Sequence, residues 1–144
     1  MHKPVPPLLI QILFPAMLFG QASSARPTPI IGRYEIKWSK GAGCILKVQQ
    51  LSDSLLRFQL DCSAGAPAYN TGQASGTLSL KNGTAVYSTT EWGERCEIRF
   101  HFSRGAVVVT QTGSDGACGF GHSVYSDGRY RLVTRKTPVF DESP

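Results

Sequence analysis

Hydrophobic and polar residues alternate with a period of two along several stretches of the chain after residue 30. In residues 56–61, Leu56, Phe58 and Leu60 are separated by polar or charged residues. The same alternation recurs over residues 97–102. Such a pattern places one set of side chains on each face of a β-strand. No helical period is found after residue 25, so the sequence predicts an all-β protein.

Short turn signals divide these alternating stretches. Ser52-Asp53-Ser54, Asn82-Gly83 and Arg104-Gly105 each stand between two apolar runs, and Asp127-Gly128 precedes the last run. Asn-Gly is a strong hairpin dipeptide because both of its residues adopt positive φ readily. About eight short strands with a turn signal roughly every ten residues are typical of a barrel or sandwich. We therefore predict about eight antiparallel strands in a small closed or nearly closed barrel.

Closure of a barrel pairs the first strand with the last and removes exposed sheet edges. The side chains expected to point inward include five bulky aromatic ones. These are Trp38, Phe58, Phe100, Phe102 and Tyr130. An eight-stranded barrel has room for side chains or for one small ligand. The size of these five predicts an interior filled by the protein itself.

A longer pattern occurs twice and predicts that the barrel consists of two related halves. Each copy has a cysteine, two strands joined by a turn, a second cysteine, and then a Tyr-x-x-Gly sequence. Each tyrosine follows its second cysteine by seven residues, and each glycine follows it by ten. The first copy contains Cys44, Cys62, Tyr69 and Gly72, and the second contains Cys96, Cys118, Tyr125 and Gly128.

The four cysteines are expected to form two disulfides, since no two of them have the close spacing of structural zinc ligands. If Cys44 faces Cys62 across a hairpin, Leu46 faces Leu60 and Val48 faces Phe58, which puts all the apolar residues on one face. In the second unit, Val107 and Val109 would oppose Phe102 and Phe100. Cys118 then lies in a glycine-rich loop that can fold back to Cys96. The predicted pairs are Cys44–Cys62 and Cys96–Cys118.

The first 25 residues read as an export signal. Lys3 precedes an apolar stretch, and small residues lead to a predicted cleavage point after Ala25. The stretch is shorter than the ~20 apolar residues that cross a bilayer, so no membrane span is expected. Residues 26–31 and 136–144 are assigned as tails around a single all-β domain at 32–135. Export and disulfides together predict a periplasmic or secreted protein.

Charge and candidate chemistry argue against several function classes. Without Lys3, 14 basic and 10 acidic residues remain, so 14 − 10 leaves a net charge of +4. No basic run exceeds two residues, which is not the pattern of a nucleic-acid-binding protein. His122 and Asp115 are near each other in sequence, but no nucleophile motif accompanies them. No spacing identifies a pair of catalytic carboxylates. We expect a non-enzymatic protein with no metal and no cofactor.

One region resembles a known bacterial family. The resemblance rests on Cys96-x-Ile-x-Phe-x-Phe, Val107-Val108-Val109-Thr110-Gln111, Cys118-Gly119-Phe120-Gly121 and Val124-x-x-Asp127-Gly128-x-Tyr130. This string is similar to the small all-β, cysteine-containing domain of bacterial exported lysozyme-inhibitor-like envelope proteins, a largely uncharacterised family. The similarity covers residues 84–133 best. It implies an envelope location and a β fold.

A second resemblance concerns periplasmic inhibitors of c-type lysozymes. Those proteins are eight-stranded barrels that insert a Ser-Gly-x-x-Tyr loop into the lysozyme cleft. This chain has Ser75-Gly76-Thr77-Leu78, which departs at the aromatic position. Candidate binding residues are expected instead in other loops. They are Tyr125, Ser126 and Arg129, together with Trp92 and His122.

These observations lead to one main function hypothesis and two alternatives. The main hypothesis is an exported binding protein with a protein partner, and a lysozyme inhibited by loop insertion is its sharpest form. The inserted loop would place a cation or hydroxyl against the catalytic carboxylates. One consideration opposes it: c-type lysozymes are usually basic, and a chain of +4 lacks complementary charge. The alternatives are a carrier of a small apolar ligand and a structural protein of the envelope.

Overall fold

The computed structural model describes residues 2–4, 20, 27–39 and 41–142, and it confirms an all-β barrel. The eight strands are β1 (Ile31–Ser39), β2 (Ala42–Ser52), β3 (Leu55–Ala64), β4 (Thr71–Lys81), β5 (Thr84–Thr89), β6 (Cys96–Ser103), β7 (Ala106–Thr112) and β8 (Gly128–Thr134). Each strand pairs antiparallel with the next one, and β8 pairs with β1. The barrel is therefore closed, although β4 and β5 are paired only at Leu80↔Ala85 and Lys81↔Thr84.

The predicted strand registers are confirmed. In the β2–β3 hairpin, Leu46 faces Leu60 and Val48 faces Phe58. In the β6–β7 hairpin, Phe100 faces Val109 and Phe102 faces Val107. A slip of one residue would turn each of these apolar sets to the solvent, so burial of one face determines the register.

Both predicted disulfides are present, but they join different kinds of element. Cys44 and Cys62 oppose each other in the β2–β3 hairpin, with their Cα atoms 4.1 Å apart. Cys96 is the first residue of β6, whereas Cys118 lies in a 3-10 turn, Gly116–Cys118, within the long connection between β7 and β8. The second bridge therefore ties a loop to the barrel wall. Two disulfides are compatible with an oxidising compartment.

Large side chains fill the barrel interior. Phe58 and Phe100 are 1% and 0% exposed, and Tyr130 is 0% exposed. Aliphatic residues from β2, β3, β6 and β7 complete the core. Phe102 also belongs to it. The expectation that Trp38 points inward is wrong, since it is 50% exposed. The register shifts between Lys37 and Ser39, which breaks the alternation at the end of β1.

The two ends of the barrel differ in their connections. At one end, two-residue turns join neighbouring strands at 53–54, 82–83 and 104–105, and we call this the turn end. Asn82 and Gly83 have φ of 51° and 72° there, as expected for a tight hairpin turn. The other end carries the step from β1 to β2 and the connections at 65–70, 90–95 and 113–127, and we call it the loop end. Both disulfides lie at or near the loop end.

The segments around the domain are described only in part. The predicted export signal and the cleavage point after Ala25 lie outside the described residues, apart from residues 2–4 and 20. At the other terminus, the Asp141 carboxylate accepts a hydrogen bond of 2.6 Å from Gln59, and Arg57 lies 4.3 Å from the centre of the Phe140 ring. Among the described residues, no helix has the length and apolar character required to span a membrane.

Candidate functional site

Four exposed aromatic side chains lie at the loop end. Trp38 is at the end of β1, and Tyr69, Trp92 and Tyr125 lie in three different loops. Their exposed fractions are 50%, 62%, 57% and 48% respectively. They are all of the exposed large aromatic residues in the described part of the chain. Exposed aromatic side chains provide large contact areas at a small entropic cost, which is why they are enriched at binding surfaces.

Trp38 and Tyr125 border one cleft. Its volume is about 250 Å³, and Ala42 at the start of β2, Ser63 and Ala64 at the end of β3, and Ser123 form the rest of its lining. The backbone oxygen of Tyr125 lies 3.5 Å from the Cys44 sulfur. Because Cys44 belongs to the first disulfide, this contact places the predicted binding residue Tyr125 directly against a cross-linked part of the barrel.

The cleft continues into a groove on the outer wall. This groove has a volume of about 570 Å³ and crosses β1 to β4. Gly43 and Ile45 lie along it, and it shares Ala42 and Ser63 with the cleft. Asp61 also borders it and accepts a hydrogen bond of 2.6 Å from Gln73. The loop end and this side of the wall therefore form one continuous concave surface.

Trp92 is supported by the second disulfide. All residues of its loop, 90–95, are exposed. Its ring lies over Gly119, where an added Cβ would come within 2.2 Å of the indole nitrogen. Gly119 also has a φ of 70°, a conformation that favours glycine. Since Gly119 follows Cys118 directly, the Cys96–Cys118 bridge holds the surface on which Trp92 rests.

Asp115 organises the loop that carries His122. Its carboxylate accepts hydrogen bonds from the backbone N–H of Ser123 at 2.6 Å and of Gly116 at 2.7 Å. These two bonds, and to a lesser extent the charge of His122, hold the pKa of Asp115 below its ordinary value. The Nδ1 atom of His122 is 3.8 Å from the carboxylate, and the side chain is 90% exposed. Asp115 therefore braces the backbone rather than orienting an imidazole.

Two of the predicted binding residues do not belong to the loop surface. Ser126 is 0% exposed, so its assignment as a contact residue is corrected. Its N–H and its hydroxyl both donate to the side-chain oxygen of Gln111, at 3.0 and 2.8 Å. Arg129 is exposed but lies on the wall, where it faces Val108 on β7. Tyr125, Ser126 and Arg129 therefore do not form a protruding loop.

Trp38 belongs to the exposed aromatic surface, although the alternation pattern predicts that it points inward. The pattern assigned it to the interior, since Tyr34 and Ile36 precede it with the same spacing. The glycines that follow Trp38 in the sequence are a sign that the strand becomes irregular there. Gly41 and Gly43 both adopt positive φ, which marks the end of the regular strand. The side chain therefore lies beyond the point where the inward–outward rule applies.

The charges of the described residues are distributed unequally between the two ends. The loops 90–95 and 113–127 contain Glu91, Glu94, Asp115 and Asp127 against a single basic residue, Arg95. The turn end has the opposite balance. Its basic residues are Lys81, Arg104, Arg135 and Lys136, against Asp53. The two loops that carry Trp92 and Tyr125 are therefore acidic, although the chain as a whole is basic.

No family model, curated protein or solved structure matches this chain. Within the described residues, no group of three or more histidine, cysteine, aspartate or glutamate side chains is placed to hold a metal ion. The functional proposal therefore depends on the surface of the barrel and on its charge.

Proposed function

We propose that this chain is an exported, non-catalytic binding protein that holds a cationic protein partner on its loop end. The observation that carries this proposal is the position of Trp38, Tyr69, Trp92 and Tyr125. All four lie at one end of the barrel and are about half exposed or more. Large aromatic side chains in this state are the usual energetic centres of protein interfaces.

The disulfides near these aromatic residues favour binding without a large rearrangement. The first disulfide contacts the backbone of Tyr125, and the second fixes the glycine under Trp92. Side chains held by cross-linked backbone lose less conformational entropy when a partner binds. A small barrel with two bridges is suited to present a preformed surface.

The acidic residues beside Trp92 and Tyr125 favour a basic protein as the partner. The net charge of the whole chain argued against a basic partner such as a c-type lysozyme, but the binding surface has its own balance. Glu91 and Glu94 flank Trp92, and Asp115 and Asp127 are in the neighbouring loop. Local potential, rather than net charge, guides association and selects partners. A lysozyme remains the sharpest version of the proposal.

The carrier alternative has less support. The interior is occupied by bulky side chains such as Phe58, Phe100 and Tyr130, none of which is more than 1% exposed. A carrier of the lipocalin type needs an internal cavity, whereas the cleft and groove described above are on the outside. The side chains packed inside this barrel therefore stabilise the fold.

The proposal is tested by titrating oxidised residues 26–144 against c-, g- and i-type lysozymes. Calorimetry would measure binding, and lysis of a cell-wall substrate would measure inhibition. We expect stoichiometric binding to at least one of these enzymes, weakened by added salt. Absence of binding to all three at micromolar concentration would remove the lysozyme version. Binding that is unaffected by salt would contradict the electrostatic argument.

Variants test the surface itself. Trp92→Ala and Tyr125→Ala should each weaken binding by tenfold or more, which corresponds to about 1.4 kcal/mol. Val108→Ala and Arg129→Ala change exposed residues on the outer wall and serve as matched controls. We expect both to retain wild-type affinity. If Arg129→Ala weakened binding and Trp92→Ala did not, the contact surface would lie on the wall and this assignment would be wrong.

A further inference from the structure

A cavity at the turn end lies on the opposite side of the barrel from the aromatic surface. Its volume is about 680 Å³. It lies between the residues that precede β1 and the turn between β6 and β7. Pro29, Ile30 and Phe102 contribute its apolar lining, and Tyr34, Arg104 and Arg135 contribute polar groups. The position and chemistry of this cavity are unrelated to the surface proposed above.

Tyr34 contributes a phenol to the lining of this cavity. It is 3% exposed, and its ring packs edge-on against Phe102 with centroids 6.1 Å apart. Among the described residues, nothing forms a hydrogen bond with its hydroxyl. Tyr34 lines the cavity, so its hydroxyl is free to donate to a ligand there.

The Tyr34 hydroxyl is protonated at neutral pH, so it can donate a hydrogen bond. Burial raises the pKa of Tyr34 above its ordinary value, and the positive charge of Arg135 offsets the increase only in part. Tyr34 is therefore protonated at neutral pH and can donate to an anion. Arg135 lines the same cavity as this phenol.

The charges around the cavity select an anion. Arg104 and Arg135 bring two guanidinium groups to its lining, and no acidic side chain is among the described lining residues. Guanidinium groups bind phosphate in a planar, bidentate geometry. A phosphate group could accept hydrogen bonds from both arginines and from the Tyr34 hydroxyl, while Ile30 and Phe102 contact an apolar part of the same molecule.

The surface around the cavity indicates where the phosphate comes from. Lys81 and Lys136 add positive charge to the turn end. Three exposed aliphatic residues lie at the same end: Leu51 at 50%, Leu55 at 41% and Val133 at 50%. Basic residues beside exposed aliphatic ones are the combination found in surfaces that rest on anionic lipids.

We propose that the turn-end cavity binds the phosphate group of an anionic lipid headgroup, with Tyr34, Arg104 and Arg135 as its ligands. Bound in this way, the barrel lies on a membrane surface and presents its acidic, aromatic loop end outward. The proposal does not depend on the function assigned to the loop end, because no residue is shared between the two surfaces.

Vesicle co-sedimentation tests this proposal. The mature protein would be mixed with vesicles of phosphatidylcholine alone and with vesicles containing 30 mol% phosphatidylglycerol, about a third of the lipid, a fraction at which surface charge attracts basic segments. We expect binding to the anionic vesicles only, decreasing as salt is added. Equal binding to both compositions, or binding to neither, would overturn the proposal.

Three variants separate the cavity from general surface charge. The double change Arg104→Gln and Arg135→Gln should reduce vesicle affinity by tenfold or more. Its matched control is Arg95→Gln with Arg99→Gln, which removes the same charge from residues that pair with Glu97 away from the turn end. Tyr34→Phe keeps all charges and should still lower affinity at least threefold, with an unchanged melting temperature. Equal losses in both double variants, or full affinity in Tyr34→Phe, would show that the cavity is not used.

A soluble ester distinguishes the two sources of phosphate. Glycerol phosphate would be added to the protein with and without anionic vesicles. We expect it to displace the vesicles only at millimolar concentration, since it lacks the apolar part and the charged surface. Micromolar binding of glycerol phosphate, without any affinity for the vesicles, would identify a soluble ligand and overturn the lipid assignment.

Discussion

The phenol of Tyr130 donates a hydrogen bond of 2.7 Å to the backbone oxygen of Ser126, inside the end of the barrel. Both residues are 0% exposed. The bond connects the last strand to the end of the long β7–β8 connection, which carries His122 and Tyr125. A fully buried core residue thereby anchors the main binding loop to the barrel.

Tyr130→Phe should destabilise the protein. The change leaves the buried oxygen of Ser126 without its donor, at a cost of about 1–3 kcal/mol. Urea unfolding followed by tryptophan fluorescence measures this difference in the free energy of unfolding. Tyr34→Phe is the matched control, because its hydroxyl has no partner among the described residues and its removal should cost little. Equal losses in the two variants would contradict the role assigned to the Tyr130 bond.

Gly72→Ala should also destabilise the fold, for a steric reason. A Cβ at Gly72 would lie 2.4 Å from the Cγ atom of Phe120, a core side chain of the long loop. The ring cannot move without opening the contact between β4 and that loop, and overpacking of this kind costs about 1–3 kcal/mol. Gly116→Ala is the control, since its nearest heavy atom would be 3.9 Å away. Thermal unfolding should show a lower melting temperature for the first variant only.

The two disulfides should contribute differently to the loop end. Each closes a loop of about twenty residues and is worth about 3 kcal/mol in the chain-entropy estimate. Cys44–Cys62 joins residues already paired in a hairpin, whereas Cys96–Cys118 holds the loop beneath Trp92. Replacing Cys96 and Cys118 by serine should raise hydrogen exchange across residues 113–127. Replacing Cys44 and Cys62 should destabilise the fold without that local effect, and the opposite pattern would refute this assignment.

Acid should loosen the loop around Asp115. The pKa of this carboxyl is depressed, first by the bond from Ser123 and then by that from Gly116, so its bonds favour the folded state above the unfolded pKa of about 3.9. That contribution is lost as the pH falls through the lower folded value. We expect protection of the Ser123 amide from exchange to decrease below about pH 4. Asp115→Asn should show weaker protection already at pH 7, whereas Glu91→Gln in the neighbouring loop should not.

Local chemistry was enough to predict the barrel, its registers and both disulfides. Alternation with a period of two assigns each side chain to a face, and burial of one face rules out a shift in register. Asn82-Gly83 indicated a tight turn because its residues adopt positive φ at low cost. These properties act between residues that are close in sequence or directly paired, so a single chain reveals them.

The candidate site depended on contacts that no local pattern contains. The strand alternation put Trp38 inside, but the end of β1 departs from regular pairing and turns it outward. Loop composition suggested Ser126 as a contact residue, but hydrogen bonds to Gln111 and Tyr130 bury it. The cavity around Tyr34 also combines the residues that precede β1, Arg135 after β8 and the β6–β7 turn.

The sequence by itself therefore determined the strands, their pairing and the cross-links, because these depend on periodicity and on short turns. Only the tertiary structure decided which end of the barrel carries the exposed aromatic residues and the acidic loops, and that Arg104 and Arg135 meet at the other end. Net charge is a sum over the whole chain and does not show where the charged residues lie. Closure of the barrel sends the long loops to one end, and it sends the tight turns, the start of β1 and the end of β8 to the other.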